Sequence, residues 1–135
     1  MQRVIRATLS GSFHRDFEGL EKAYSELVSN QCQVLSPHSL DFEDHKVLFV
    51  RHETEEDESV YQIEQHHLRS IAQSDMLWLH APDGYVGMSS AMEIGYAIAK
   101  KIPVYSSVEI NDQTLSAYVK ICPSVFSALT DIGAI

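Results

Sequence analysis

Glu93 closes a run that reads Gly87-Met88-Ser89-Ser90-Ala91-Met92-Glu93, with Pro82 and Gly84 just ahead of it. Glycines let a backbone come close to a ligand, and hydroxyls and helix-terminal amides hold sugar or phosphate oxygens. A carboxylate one turn into the helix can attack what they hold. A second stretch of the same character, Ser10-Gly11-Ser12-Phe13-His14, lies nearer the N-terminus. Glu93 also has a purely structural reading: with Ser89 or Ser90 as helix N-cap it would complete a capping box. Several other chemistries are absent by motif, since there is no three-glycine dinucleotide fingerprint, no Walker lysine and no Gly-x-Ser-x-Gly elbow. Among His38, His45, His52, His66 and His67 no pair has the i, i+4 spacing of a helical metal site, so neither a metal nor a cofactor is expected.

The elements that would position these residues alternate between strand and helix. Residues 3–9 predict a strand, with Ser10-Gly11-Ser12 as the turn after it. From Asp16 onward, Phe17, Leu20, Ala23, Tyr24, Leu27 and Val28 share one helical face. Residues 33–35 predict a second strand that Pro37 ends, and residues 47–50 an additional one. The acids crowded into 53–58 read as a solvated stretch or the start of a helix. A helix over 59–73 would turn Val60, Ile63, Leu68, Ile71 and Ala72 inward. A strand over 76–79 follows, then a helix over 89–100 with Met92, Ile94, Ala97 and Ile98 inward, and a strand over 102–106. Residues 114–120 and 124–132 predict two short helices around Pro123.

This alternation predicts one α/β domain over residues 1–135, built on a single doubly wound, mostly parallel sheet in a flavodoxin- or Rossmann-like three-layer sandwich. The turns after the first and third strands, residues 10–13 and 82–90, then meet at one crevice. The length of 135 residues suits one core and not two. A net charge of −9 argues against DNA or RNA as a partner, because phosphate backbones call for clustered cations. It leaves room for a small phosphorylated ligand held by amides and hydroxyls. Cys32 and Cys122 have no ligand spacing and read as reduced thiols of a cytoplasmic protein. No apolar run reaches the roughly 20 residues of a membrane span. The N-terminal stretch lacks a signal-peptide apolar core, so no membrane partner is expected.

The segment Gly87 to Glu93, continuing as Ile94-Gly95-Tyr96-Ala97 and then a lysine turn and Ile102-Pro103-Val104-Tyr105, resembles the nucleoside 2-deoxyribosyltransferase family, which includes the 2'-deoxynucleoside 5'-phosphate N-hydrolases. The likeness extends to the Gly-Ser turn and to the helix leading into Ser74-Asp75. It implies that Glu93 attacks the anomeric carbon of a (deoxy)ribosyl group, that the base leaves, and that water or another base resolves the glycosyl-enzyme. Gly11, Ser12, Phe13, His14, Gly84, Gly87, Ser89 and Ser90 would bind a small-molecule nucleoside or nucleotide. Leu115-Ser116-Ala117 is similar to an N-hydrolase stretch whose serine reaches the 5'-phosphate in the neighbouring subunit, which implies a homodimer with a shared active site. Ser116 has an ordinary reading too, as a polar residue of a surface helix.

Two positions depart from that pattern. The family places an acid eight residues ahead of the aspartate that opens the third strand; counting back from Asp75 gives His67. His67 is either a proton-transfer residue in place of that acid or a histidine of the helix surface. The arginine expected after the Gly-Ser turn is replaced by His14, with Arg15 adjacent. These departures motivate an alternative, a nucleotide-binding module of the same fold with impaired turnover. A lysine-decarboxylase-like phosphoribohydrolase ranks below both, because its Pro-Gly-Gly-Gly-x-Gly-Thr loop is missing.

Overall fold

The computed structural model describes residues 3–41, 52 and 58–134. Five strands, β1 (Arg6–Gly11), β2 (Gln33–Ser36), β3 (Met76–His80), β4 (Val104–Ser106) and β5 (Lys120–Ile121), form one parallel sheet in the order β2-β1-β3-β4-β5. This is the flavodoxin-like doubly wound order. The helices are α1 (Phe17–Ser29), α2 (Val60–Gln73), α3 (Met88–Ala99), α4 (Gln113–Ser116) and α5 (Val125–Ile132).

Two cores follow from the period-two alternation of the strands. Ala7, Leu9, Met76 and Trp78 pack with Leu20, Ala23 and Leu27 of α1 and with Val125, Ala128 and Leu129 of α5. Leu77, Leu79 and Val104 point the other way, onto Ile71 of α2 and Ile94 and Ala97 of α3. On that second face β1 contributes Thr8 and Ser10 instead of apolar residues, and both are fully buried.

Local chemistry sets the element starts. Asp16 caps α1 through the Gly19 amide (3.2 Å), Ser59 and Gln62 form a reciprocal capping box on α2, and Ser124 and Ser127 do the same for α5. The expected inward faces need correction in detail. Val28, Val60 and Met92 are about half exposed and Ala72 is exposed, while His67, Ser70, Ser90 and Glu93 are buried. The helix expected over 114–120 ends at Ser116, and Lys120 and Ile121 pair with Tyr105 and Ser106 as a fifth strand. The strand expected at 47–50 and the acids of 53–57 lie outside the described residues. Cys32 and Cys122 are free thiols, and no described helix is long and apolar enough to cross a membrane.

The register of β2 against β1 slips by one residue. Arg6 pairs with Gln33 and Ala7 with Val34, but Thr8 pairs with Ser36, leaving Leu35 as the extra residue. Paired residues share a face, so the slip moves Ser36 from the Val34 side of the sheet to the Thr8 side. At the carboxyl end of β1, Gly11 has φ +148°, and a Cβ there would stand 2.3 Å from the His80 carbonyl oxygen. Gly95, in contrast, is exposed in mid-α3 with open space around it. Gly95→Ala is expected to raise unfolding stability by about 0.5–1 kcal/mol, whereas Gly11→Ala should lower it by about 1 kcal/mol or more. Chemical denaturation of the two variants checks both signs.

Candidate active site

The carboxyl ends of β1, β2 and β3, together with one face of α2 and the start of α3, enclose a cleft of about 500 Å³. That is ample for a small-molecule ligand. The loop after β1 supplies Gly11, Ser12, Phe13 and His14; the turn after β2 supplies Ser36, Pro37 and His38; α2 supplies Ile63, Glu64, His66 and His67. Tyr85, Gly87, Met88, Ser89, Ser90 and Glu93 come from the loop after β3 and the first turns of α3, and His52 completes the wall. All the residues expected in this chain's own cleft except Gly84 therefore meet. Gly84 (φ +78°) is needed elsewhere: a Cβ there would stand 2.6 Å from the Glu109 carbonyl oxygen. Ser116 is the last residue of α4 and does not line the cleft.

The structure resolves the two readings of the α3 start. Gly87 is the N-cap, with no side-chain capping bond, so Glu93 is not half of a capping box. The amides of the first turn are left available to an acceptor beside the cleft. Glu93 is buried and turned toward the polar face of β1. Ser10 Oγ donates to Glu93 Oε1 at 2.7 Å, and His67 Nε2 lies 3.4 Å from the same oxygen. Ser10 has one hydroxyl hydrogen, so its 3.2 Å contact with His67 Nε2 requires that nitrogen to donate. The other ring nitrogen, Nδ1, is 2.7 Å from Ser36 Oγ, the hydroxyl that the β2 slip brings to this face. Ser36 accepts from a protonated ring or donates to a neutral one, so the imidazole keeps both bonds in either state. A deeper layer holds β1 to the end of α2: Thr8 Oγ1 meets Ser74 Oγ at 2.8 Å, and Ser74 Oγ donates to the Ser70 carbonyl at 2.8 Å.

Glu64, one turn ahead of His67, is a cleft residue that the sequence does not single out, as is Ser36. Its carboxyl lies beside that of Glu93. Glu64 Oε2 is shut from water and has no hydrogen-bond partner, a setting that favours a neutral carboxyl over an ionised one. Burial raises Glu64, and the hydrogen bond and charge of Glu93 raise it further, to about 9 from 4.5. For Glu93, burial is the largest single effect and acts upward. The charge and hydrogen bond of His67, with the hydrogen bonds of Glu64 and Ser10, outweigh it and bring the carboxyl to about 2. One carboxyl is thus kept ionised and its neighbour neutral, the division of labour used where an acid and a nucleophile act together. The signal for Glu64 was its place on one face of α2 with His67 and Ile71, at i, i+3 and i+7.

The loops that carry the rest of the wall are tied together. His80 Nε2, at the end of β3, lies 3.0 Å from Asp16 Oδ2, and the Arg15 guanidinium sits 3.7 Å over the Tyr85 ring. His14 Nδ1 lies 3.2 Å from Ser12 Oγ. Asp75 works at the opposite end of the sheet, accepting from the Arg6 amide (2.8 Å) and from Arg3 (3.0 Å). No group of residues with metal-binding geometry occurs among the described residues. No protein-family model and no curated protein matches the chain.

The carboxyl pair has a signature in stability. Glu64 binds a proton more tightly folded than unfolded, so between the ordinary value of 4.5 and about 9 it makes the fold lose stability as pH rises. Glu93 acts oppositely and lower: its contribution is present above 4.5 and is lost as pH falls toward about 2. Glu64→Gln keeps a hydrogen-bond donor and abolishes the first effect. Denaturant titrations from pH 5 to 9 should therefore show the variant gaining on the wild type as pH rises; parallel curves would contradict the assignment of the proton to Glu64.

Proposed function

We propose that the protein cleaves, or transfers between bases, the N-glycosidic bond of (deoxy)nucleosides or nucleoside 5'-monophosphates, with Glu93 as nucleophile. One observation carries this reading: a buried carboxyl fixed by Ser10 and His67 at the wall of a ligand-sized cleft, where the β1 and β3 loops meet. A carboxylate so placed stabilises an oxocarbenium-like centre and then captures it, which divides one difficult displacement into two easier ones. The resemblance of the Gly87–Glu93 segment points to the same chemistry. Ser12, His14, Ser89 and Ser90, with the uncapped start of α3, supply hydroxyls, an imidazole and amides for the sugar and any phosphate. Arg15, held against Tyr85 at the rim, is the nearby guanidinium for that phosphate.

His67 takes a positioning role in this reading, since both ring nitrogens are engaged by Ser10, Glu93 and Ser36. The alternative of a binding module without turnover rests on the missing acid at position 67 and on His14 in place of an arginine; Glu64 brings a carboxyl within one helical turn of the first, and Arg15 lies next to the second. A homodimer in which Ser116 of a second copy reaches the phosphate belongs to the same proposal.

Incubation with a panel of purine and pyrimidine nucleosides and 5'-monophosphates should release free base, detected by chromatography. Glu93→Ala should lower the rate by on the order of 10³-fold or more, while retaining ligand-induced thermal stabilisation. Intact-mass spectrometry at short times should find a pentosyl adduct on the wild type and none on the variant. Ligand stabilisation without base release or exchange across the panel would favour the binding module.

A further inference from the structure

Cleaving an N-glycosidic bond leaves an electron pair on the base, and an unprotonated base is a poor leaving group. Glu93 cannot help, because its Oε1 already accepts from Ser10 and it has to remain ionised to attack. His67 is occupied on both nitrogens. Glu64 is different: it lines the cleft beside Glu93, and its Oε2 is buried without a hydrogen-bond partner, which favours a neutral, proton-carrying group.

We propose that Glu64 is the general acid that protonates the departing base, and afterwards the general base that activates water. This rests on the glycosidic reading of the cleft. In the first step a Glu93 oxygen bonds to C1′, the C1′–N bond breaks with its electron pair going to the base, and the Glu64 proton passes to a ring nitrogen or oxygen of that base. A neutral base, a glycosyl ester on Glu93 and a Glu64 carboxylate result. In the second step water adds to C1′, its proton returns to Glu64, and the ester bond breaks to restore the Glu93 carboxylate. The net change is nucleoside plus water to base plus free sugar.

The pair also explains how a resting site keeps one group charged and the other neutral, since two carboxyls in contact do not both ionise. The ionisable groups sharing the cleft with Glu64 are Glu93 from α3, His66 and His67 from α2, His14 from the β1 loop, His38 and His52 beyond β2, and Tyr85 from the β3 loop. Of these, Glu93 is the one that acts on the Glu64 proton, after burial itself. Because Glu64 adjoins its partner, a substrate has to part the two carboxyls as it enters, with the sugar against Glu93 and the base toward Glu64. The specificity this predicts is for bases that need a proton to leave.

The test compares a purine nucleotide with its 7-methylpurine counterpart, whose cationic base departs without protonation, at one mildly acidic pH. In the first turnover, before water is needed, Glu64→Gln should slow release of the unmodified base by roughly 10²–10⁴-fold and of the methylated base far less. In the wild type, kcat/KM for the unmodified substrate should fall at high pH, and the variant should lose that limb. If Glu64→Gln does not fold, the wild-type pH profiles alone decide, because only the unmodified substrate should show the alkaline fall. Equal slowing of both substrates in the first turnover would reduce Glu64 to a positioning residue for Glu93. First-turnover base release that Glu64→Gln leaves unchanged overturns this proposal alone, whereas no base release by the wild type from any substrate overturns the glycosidic reading and this role together.

Discussion

A carboxylate buried against a β-sheet is the constraint from which the upper half of this molecule is built. Removing such a charge from water costs several kcal/mol unless it is paired and hydrogen-bonded. Glu93 cannot be satisfied from its own helix, so its partners come from β1 as Ser10, from α2 as His67 and Glu64, and through His67 from β2 as Ser36. The polar residues on the α2/α3 side of β1 are one consequence. The opposite side of the same strand, Ala7 and Leu9, faces only the apolar inner surfaces of α1 and α5. On the α2/α3 side a buried polar row runs from Thr8, Ser70 and Ser74 up to Ser10, His67 and Glu93 beside the apolar residues of that layer.

The fold was legible in the sequence because alternation and capping act locally. Asp16, Ser59 and Ser124 each mark a helix start in both sequence and structure, and Ala7/Leu9 against Thr8/Ser10 is a period-two pattern. Glu93 was equally visible, though its orientation was not: a capping box and a cleft carboxylate share one motif, and the cap at Gly87 distinguishes them only in three dimensions. Glu64 and Ser36 were hidden for different reasons. Glu64 sits among polar residues of α2 and acquires meaning only from what α3 places opposite it. Ser36 falls just past the strand expected over 33–35, and a register slip is not written in residue types. Val28, Val60 and Met92 show the reverse error: their spacing puts them on the inward face, yet each is about half exposed.

The mouth of the cleft is organised by contacts that are not themselves chemical. The Asp16 carboxylate, already spent on capping α1, also meets His80 at the end of β3, and Arg15 lies flat on Tyr85. These two ties join the loops after β1 and β3 across the switch point of the sheet. The hydroxyls and amides they carry are thereby held in place before any ligand arrives, which lowers the ordering cost of binding.

The unpaired Leu35 has a last implication, for chain length. A shorter strand in which serine followed Val34 directly would restore an unbroken ladder and still aim that hydroxyl at the imidazole. One further residue, added within the same ladder, would reverse every side chain beyond it and leave Nδ1 facing something other than an oxygen. The architecture therefore accepts a deletion at this point and resists an insertion, an asymmetry set by counting along the strand and not by the identity of the residue gained or lost.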